Sequence, residues 1–201
     1  MNKTTIEDKT LQYYAENLQT FVGGTLSADM SEARKYFLQN LPEHARILDF
    51  GCGSGRDTKA FLNLGYQVDA CDGSAELCRI AGEVTGIQIK QMLFQDLDGI
   101  AVYDGIWACA SILHLPKGEL KTVLEKIAAA LKDHGVLYTS FKYGTFEGMR
   151  QGRYFTDFTE DSLREFFRNV PALQIFRTWI TKDVRPGREE ERWLNILARR
   201  S

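Results

Sequence analysis

Arg46-Ile47-Leu48-Asp49-Phe50-Gly51-Cys52-Gly53-Ser54-Gly55-Arg56-Asp57 is the stretch on which the fold turns. Ile47 to Phe50 is short and mostly apolar, and reads as a buried parallel strand. Three alternating glycines follow. They let the backbone turn sharply and approach a ligand with no Cβ in the way. A helix can begin at Arg56. The spacing G-x-G-x-G differs from the dinucleotide pattern G-x-G-x-x-G, which would require glycine where Arg56 stands. That pattern places a pyrophosphate at a helix N-terminus. Asp49 at the strand end suits a cationic ligand instead. The stretch therefore predicts an adenosine-bearing ligand lying across the turn, without a pyrophosphate.

Outward from this turn, strand and helix patterns alternate. Strand 46–50 leads to helix 56–64, and strand 66–71 to helix 74–84, which Ser74 can cap. Strand 87–92 leads to a loop holding Asp96. Strand 103–109 leads to a loop and helix 117–132, and strand 135–141 follows. Such alternation predicts a doubly wound, mostly parallel sheet with helices on both faces, an α/β/α sandwich of Rossmann-like form. Helices 10–22 and 30–40 precede it. Helix 159–168 starts at Thr159, and two strand-like runs, 173–180 and 193–198, follow it. Their link, with Pro186-Gly187, is too short for a crossover helix, so they should pair as a terminal antiparallel hairpin. The chain then reads as one domain in three parts: a helical cap or lid (1–42), a cofactor-binding core (43–142) and a substrate-side segment (143–201).

Composition bounds the function. The chain has 201 residues, enough for one α/β domain with a substantial core. A net charge of -2 gives no general attraction to nucleic acid. No run of about 18 apolar residues suggests a membrane span. Met1 to Asp8 has no apolar signal region, which predicts a cytoplasmic protein. Cys52, Cys71, Cys78 and Cys109 form no C-x-x-C pair and read as free, buried thiols. No zinc-ligand spacing is present, and no metal is expected.

In a doubly wound sheet, ligands bind beyond the carboxyl ends of the strands. At the first such end stand Asp49 and the glycine turn Gly51, Gly53 and Gly55. At the second stands Asp72, 21 residues beyond Gly51, followed by Gly73 and Ser74. An acid at that distance can accept from ribose hydroxyls; a helix-capping role is the plainer alternative. At the third come Asp96 and Leu97. Asp96 can accept from an adenine amine or simply be a solvated loop acid. At the fourth, the uncharged segment from Ala108 through Ala110 and Ser111 can line a pocket and offer backbone groups.

Four segments carry a resemblance: Leu48 to Gly55, Cys71-Asp72-Gly73-Ser74, Gln95-Asp96-Leu97, and Asp104 to Leu115. The chain resembles class I S-adenosylmethionine-dependent methyltransferases over about residues 44–142, and most of all the small bacterial enzymes grouped with tellurite-resistance methyltransferases. The resemblance implies a seven-stranded sheet whose last strand is antiparallel, with S-adenosylmethionine as cofactor. It also implies the glycine turn beside the methionine part, Asp72 on the ribose, Asp96 on the adenine amine, and the Ala108–Ser111 backbone at the methionine amino end. Methyl transfer from a sulfonium is a direct displacement that needs positioning and desolvation, with no metal or nucleophilic triad.

His114 is the best candidate for a general base, or else a locally bonded loop histidine. Lys142, Arg150, Arg153, Arg185, Arg188 and Arg192 form a later basic set. Arginine grips carboxylate or phosphate bidentately, which suggests an anionic acceptor; pairing with Glu189, Glu190 and Glu191 is the alternative. Tyr13, Tyr14 and Met30 can belong to a lid over the cofactor, or merely pack. The leading function is methylation of a small-molecule acceptor. The competitors are an RNA or protein methyltransferase, a non-catalytic S-adenosylmethionine-binding protein, and a nicotinamide oxidoreductase, against which Arg56 argues.

Overall fold

A computed structural model describes residues 5–185 and 187–201. Met1 to Thr4, part of the segment read for targeting signals, and Pro186 of the hairpin link lie outside the described residues. The chain opens with three helices, α1 (Ile6–Glu16), α2 (Leu18–Thr25) and α3 (Ser31–Leu38). Thr5 and Asp8 form a reciprocal capping box that starts α1. The helix expected over 10–22 is in fact α1 and α2. It breaks at Asn17, whose amide turns back to the Tyr13 carbonyl at 2.9 Å, the competition with backbone bonding that makes asparagine a helix terminator.

The core alternation follows: β1 (Arg46–Phe50), α4 (Arg56–Asn63), β2 (Gln67–Asp72), α5 (Ala75–Thr85), β3 (Lys90–Gln91), β4 (Tyr103–Ala108), α6 (Lys117–Ala130) and β5 (Leu131–Lys142). Then come β6 (Glu147–Arg150), β7 (Arg153–Thr156), α7 (Glu160–Phe167), β8 (Leu173–Lys182) and β9 (Arg192–Arg200). The main sheet has seven strands in the order β3-β2-β1-β4-β5-β9-β8. All neighbours in it pair parallel except β5 with β9 and β9 with β8. The expected sheet and its terminal antiparallel hairpin are both present. The third strand is shorter than expected, with only Lys90 and Gln91 in the ladder at the sheet edge.

Alternate residues of each central strand serve opposite faces, so the strands read as continuous apolar runs. Ile47, Trp107, Tyr138 and Leu197 face α3 and α4, where Phe37 and Phe61 pack. Leu48, Ile106, Leu137 and Ile196 face α6 and α7, where Leu120, Val123, Leu124, Leu163 and Phe167 pack. Trp107 stacks on Tyr138, with ring centroids 3.8 Å apart. Among the described residues, no helix is long and apolar enough to cross a membrane. All four cysteines are free; Cys52 and Cys71 are buried, Cys78 and Cys109 only half-buried.

One element escaped the sequence reading. β6 and β7 form a separate hairpin whose two-residue turn, Gln151 (φ 50°) and Gly152 (φ 80°), lies in the left-handed region. Two positive φ angles in succession mark a type I′ turn, which matches the strand twist. Its register sets Arg150 opposite Arg153. Arg153 and Phe155 point inward together, two residues apart on one face of the strand.

Candidate functional site

The carboxyl ends of β1, β2, β4 and β5 open onto one cavity, which α1, α2 and the β6–β7 hairpin cover. Its wall includes Asp49, Gly51, Gly53, Asp72, Gly73, Ala110, Ser111, His114, Tyr14, Lys142, Arg153 and Arg185. Residues nominated from seven separate stretches of sequence are thus brought together.

The glycine turn is a backbone device. Gly51 (φ 84°) and Gly53 (φ 55°) both lie where side chains are disfavoured. A Cβ on Gly51 would come 2.5 Å from the Ser111 Cβ, so the turns after β1 and β4 touch. Gly53 donates its N–H to Asp72 at 2.9 Å, and the other Asp72 oxygen takes the Ser74 N–H at 2.9 Å. One carboxylate therefore ties the glycine turn to the start of α5 while facing the cavity. Burial holds Asp72 above the usual carboxylate range, against three backbone N–H groups that favour its charge.

Beneath the turn lies a second acidic pair. Burial, and then the neighbouring Asp57 charge, push Asp49 up to about 7, although Thr58 donates to it at 2.6 Å. Burial alone would raise Asp57 too, but Arg56 at 2.5 Å and Arg34 at 2.6 Å keep it ionised below the usual range. Trp107 adds an N–H donor at 2.9 Å. Asp57 thus holds its charge with full compensation, while Asp49 is an acid whose ionised form a cation would stabilise. Arg56 lines the cavity as well. Its position after the G-x-G-x-G spacing marks only where a glycine is absent.

The structure separates other nominated residues from the cavity. Gly55 is the left-handed cap of α4 (φ 79°) and packs on Ala81 and Thr85 of α5, so its role is helix packing. Ser74 caps α5 by accepting the Leu77 N–H. Asp96 is exposed in a 3₁₀ turn, and Leu97 is buried in the core beneath α6. Near Asp96 the cavity is lined instead by Met92, Leu93 and Phe94. Ala108 is core, and the Ala110 N–H is taken by Ser140 at 3.0 Å. Ala110 itself carries φ 50°, a strained angle for alanine at the cavity wall. Tyr13 stands behind the wall, packed on the hairpin turn.

His114 is in the wall but both ring nitrogens are engaged. Nδ1 lies 2.6 Å from the Tyr154 carbonyl, which can only accept, so Nδ1 carries the proton. Nε2 is then the acceptor for the Tyr14 hydroxyl at 2.8 Å. Burial depresses His114 to about 4, against that carbonyl bond, so the ring is neutral at pH 7. As placed, it holds Tyr14 and has no lone pair free for a substrate proton.

The basic set divides. Lys142, depressed to about 8 by burial against the pull of Asp183, sits 4.0 Å over the Trp193 ring and pairs with Asp183 and Glu191. Arg185 grips Asp183 with two donors, at 2.9 and 2.5 Å. Arg188 pairs with Glu191, and Arg150 with Asp157. Arg192, set at the start of β9, bonds the Glu189 carbonyl at 2.6 Å. Met30 lines the cavity.

Comparison with known proteins agrees with this geometry. Residues 47–135 match the family model described as "Methyltransferase domain". A putative methyltransferase, YqeM of Bacillus subtilis, is 30% identical over 119 residues, 54% of this chain and 48% of that protein. A ubiquinone biosynthesis O-methyltransferase of Xanthomonas axonopodis is 29% identical over 107 residues, 49% of this chain and 44% of that one. The chain spans about half the length of these curated relatives. The fold matches Burkholderia thailandensis 1,6-didemethyltoxoflavin-N1-methyltransferase, solved with its substrate and S-adenosylhomocysteine, with a TM-score of 0.77 at 22% identity, covering 100% of this chain and 92% of that one. It also matches the [4+2]-cyclase SpnF, with a TM-score of 0.72 at 14% identity, covering 94% of each chain. An acid poised for a cation, a bare glycine turn and an acid at the next strand end fit S-adenosylmethionine; residues 47–135 are similar to a methyltransferase domain, and the fold is one that a solved methyltransferase with bound S-adenosylhomocysteine shares.

Proposed function

We propose that the protein transfers a methyl group from S-adenosylmethionine to a small-molecule acceptor. The observation that carries this reading is the continuity of the cavity. It runs from the glycine turn to the His114–Arg153 end beneath α1, so a cofactor at the turn and an acceptor at the covered end share one space. When bound, the cofactor supplies an activated methyl group on a positive sulfur. Asp72 accepts from the ribose hydroxyls, Asp49 favours the cationic end, and Met92, Leu93 and Phe94 shelter the adenine. Arg56 stands where the methionine carboxylate needs a cation. His114 acts by positioning Tyr14, whose hydroxyl faces the acceptor.

The fold alone does not fix the reaction, since a cyclase shares it. Calorimetry with S-adenosylhomocysteine should show binding that Gly53→Val abolishes. Labelled methyl groups should then pass to a low-molecular-weight fraction when the enzyme meets a metabolite extract. Label appearing only in RNA or protein would overturn the acceptor assignment. NAD binding without S-adenosylmethionine binding would overturn the cofactor roles.

A further inference from the structure

Arg153 is, among the described residues, the buried cavity cation without a carboxylate partner; Lys182 also lines the cavity without an ion pair, but it is exposed. Arg153 is only 8% exposed. Its Nε is buried without a hydrogen-bond partner, and it forms no ion pair among the described residues. Arg56, Lys142, Arg185 and Arg188, which also line the cavity, each have a carboxylate partner. Burying a guanidinium without a counter-charge is costly, and such a group is normally paired. The cation is nonetheless held firmly. Tyr13 stacks against it at 4.2 Å, with Phe155 at 5.1 Å and Tyr14 at 5.7 Å. Tyr13 is fixed in turn by the hairpin turn, whose Gly152 leaves no room for a side chain. Burial raises the Tyr14 phenol, opposed by the nearby Arg153 charge, so Tyr14 stays neutral and does not serve as the counter-ion.

The surroundings define what can enter. Tyr14, Phe21, His114 and Phe155 line the cavity and meet edge to face at 4.9 to 5.7 Å. Ring faces and edges arranged this way accept a flat, unsaturated molecule. No free base stands among them, because both nitrogens of His114 are engaged.

We infer that Arg153 is the receptor for an acceptor bound as a planar, delocalised anion, of the phenolate or acidic-heterocycle class, with the ionised atom or its conjugate facing the guanidinium. The inference rests on the methyl-transfer reading and specifies its acceptor. It also removes the need for a general base. A lone pair on the acceptor anion forms the new bond to the methyl carbon, and the electrons of the old carbon–sulfur bond return to sulfur. An anion and a cation become two neutral products, and no proton remains for the chain to take.

The test uses the full chain saturated with S-adenosylhomocysteine and two flat phenols, 4-nitrophenol and 7-hydroxycoumarin, whose absorbance reports ionisation. Their methyl ethers, 4-nitroanisole and 7-methoxycoumarin, are the neutral controls. Each phenol should bind at least about tenfold more tightly than its ether, with its bound ionisation displaced toward the phenolate by about one pH unit or more, as expected beside an opposite charge. Arg153→Gln should erase both effects and Arg153→Lys should restore part of them. Both variants should keep their affinity for S-adenosylhomocysteine. Wild-type protein that binds phenol and ether equally, or Arg153→Gln that still prefers the phenolate, overturns the inference. Wild-type protein that does not bind S-adenosylhomocysteine overturns the underlying function instead, and the phenol titration on the apo-protein still decides the anion preference. If Arg153→Gln does not fold, the wild-type comparison of phenol with ether stands alone and remains decisive.

Discussion

The two ends of this cavity are built by opposite means. At the glycine-turn end, recognition resides in backbone conformation drawn from residues 49–57 and 72–73: positive φ angles at Gly51 and Gly53, and a carboxylate that binds two N–H groups. At the hairpin end it resides in side chains from three distant segments, Tyr13 and Tyr14, His114, and Arg153 with Phe155. At the first end the glycine turn is tied to Asp72 before any ligand binds. The second contains a buried guanidinium whose Nε has no hydrogen-bond partner and which forms no ion pair among the described residues. Backbone satisfaction fixes a shape that suits one common cofactor. Side-chain convergence leaves an unmet requirement that a particular acceptor can fill.

The largest effect should come from disturbing the backbone end. Gly51→Ala puts a side chain at φ 84° and 2.5 Å from the Ser111 Cβ, within the contact between the β1 and β4 turns. Left-handed strain and overpacking together should cost about 2–5 kcal/mol of folding stability. Urea unfolding should show the midpoint falling accordingly. A loss below about 1 kcal/mol would mean that the turn is pliable, and the contrast between a fixed end and an adaptable end would weaken.

A pH series sharpens the contrast from the other side. His114 has a folded pKa of about 4, below its ordinary 6.5, because burial disfavours the charged ring. Between those values the unfolded chain holds more protons than the native protein. Stability from this group is therefore complete above pH 6.5 and lost as pH falls toward 4, by up to about 3 kcal/mol. Asp49 acts in the opposite sense. Its folded pKa of about 7 lies above its ordinary 3.8, so its contribution is lost as pH rises from about 4 to 7. Denaturation curves of His114→Gln subtracted from wild type should rise through pH 4–6.5 and flatten above. A difference curve that is level throughout would show that His114 titrates normally.

The same contrast explains what the sequence made legible. The strand–helix alternation, the seven-stranded sheet and the cap at Ser74 all follow from periodicity and local chemistry. So does the glycine turn, because its requirement falls on contiguous residues. The break at Asn17 was missed because an apolar stripe continues through Tyr13, Tyr14, Leu18 and Phe21 on both sides of it. The β6–β7 hairpin was missed because its inward residue is Arg153, a charge where alternation leads one to expect an apolar side chain; Gln151-Gly152 was its turn signal. Leu97, which follows the 3₁₀ turn, and Ala108, at the end of β4, bury their side chains in the core, and adjacency to a motif does not say where a side chain points. Nothing in the spacing of Lys142, Arg150, Arg153 and Arg185 distinguishes the unpaired cation from the paired ones. That distinction arises only when Asp157, Asp183 and Glu191 are folded against the other three.

Asp72→Ala should weaken S-adenosylhomocysteine binding by about 1–3 kcal/mol, roughly 5- to 150-fold, the cost of losing a charged hydrogen-bond partner. Asp72→Asn, which keeps one acceptor oxygen for the glycine turn, should recover fold stability more fully than affinity. A dissociation constant unmoved by either change would leave Asp72 a purely structural tie between Gly53 and Ser74.

The smallest effect tests whether the two ends are separable. Tyr14→Phe keeps the ring packed against Phe21 and His114 but removes the hydroxyl that donates to Nε2 at 2.8 Å. A buried acceptor without its donor should cost about 1 kcal/mol of stability. The sign of the accompanying pKa change follows from the bond itself. A donor at Nε2 stabilises the neutral ring, so its loss should move His114 upward from about 4 toward its ordinary value, as a proton titration of the imidazole by NMR would report. Affinity for S-adenosylhomocysteine should stay within about twofold of wild type, because Tyr14 completes the acceptor end while the glycine turn is held by Asp72. A loss of cofactor affinity as large as that of Asp72→Ala would make α1 part of the cofactor site, and the cavity would then be a single unit with no division between shape and charge.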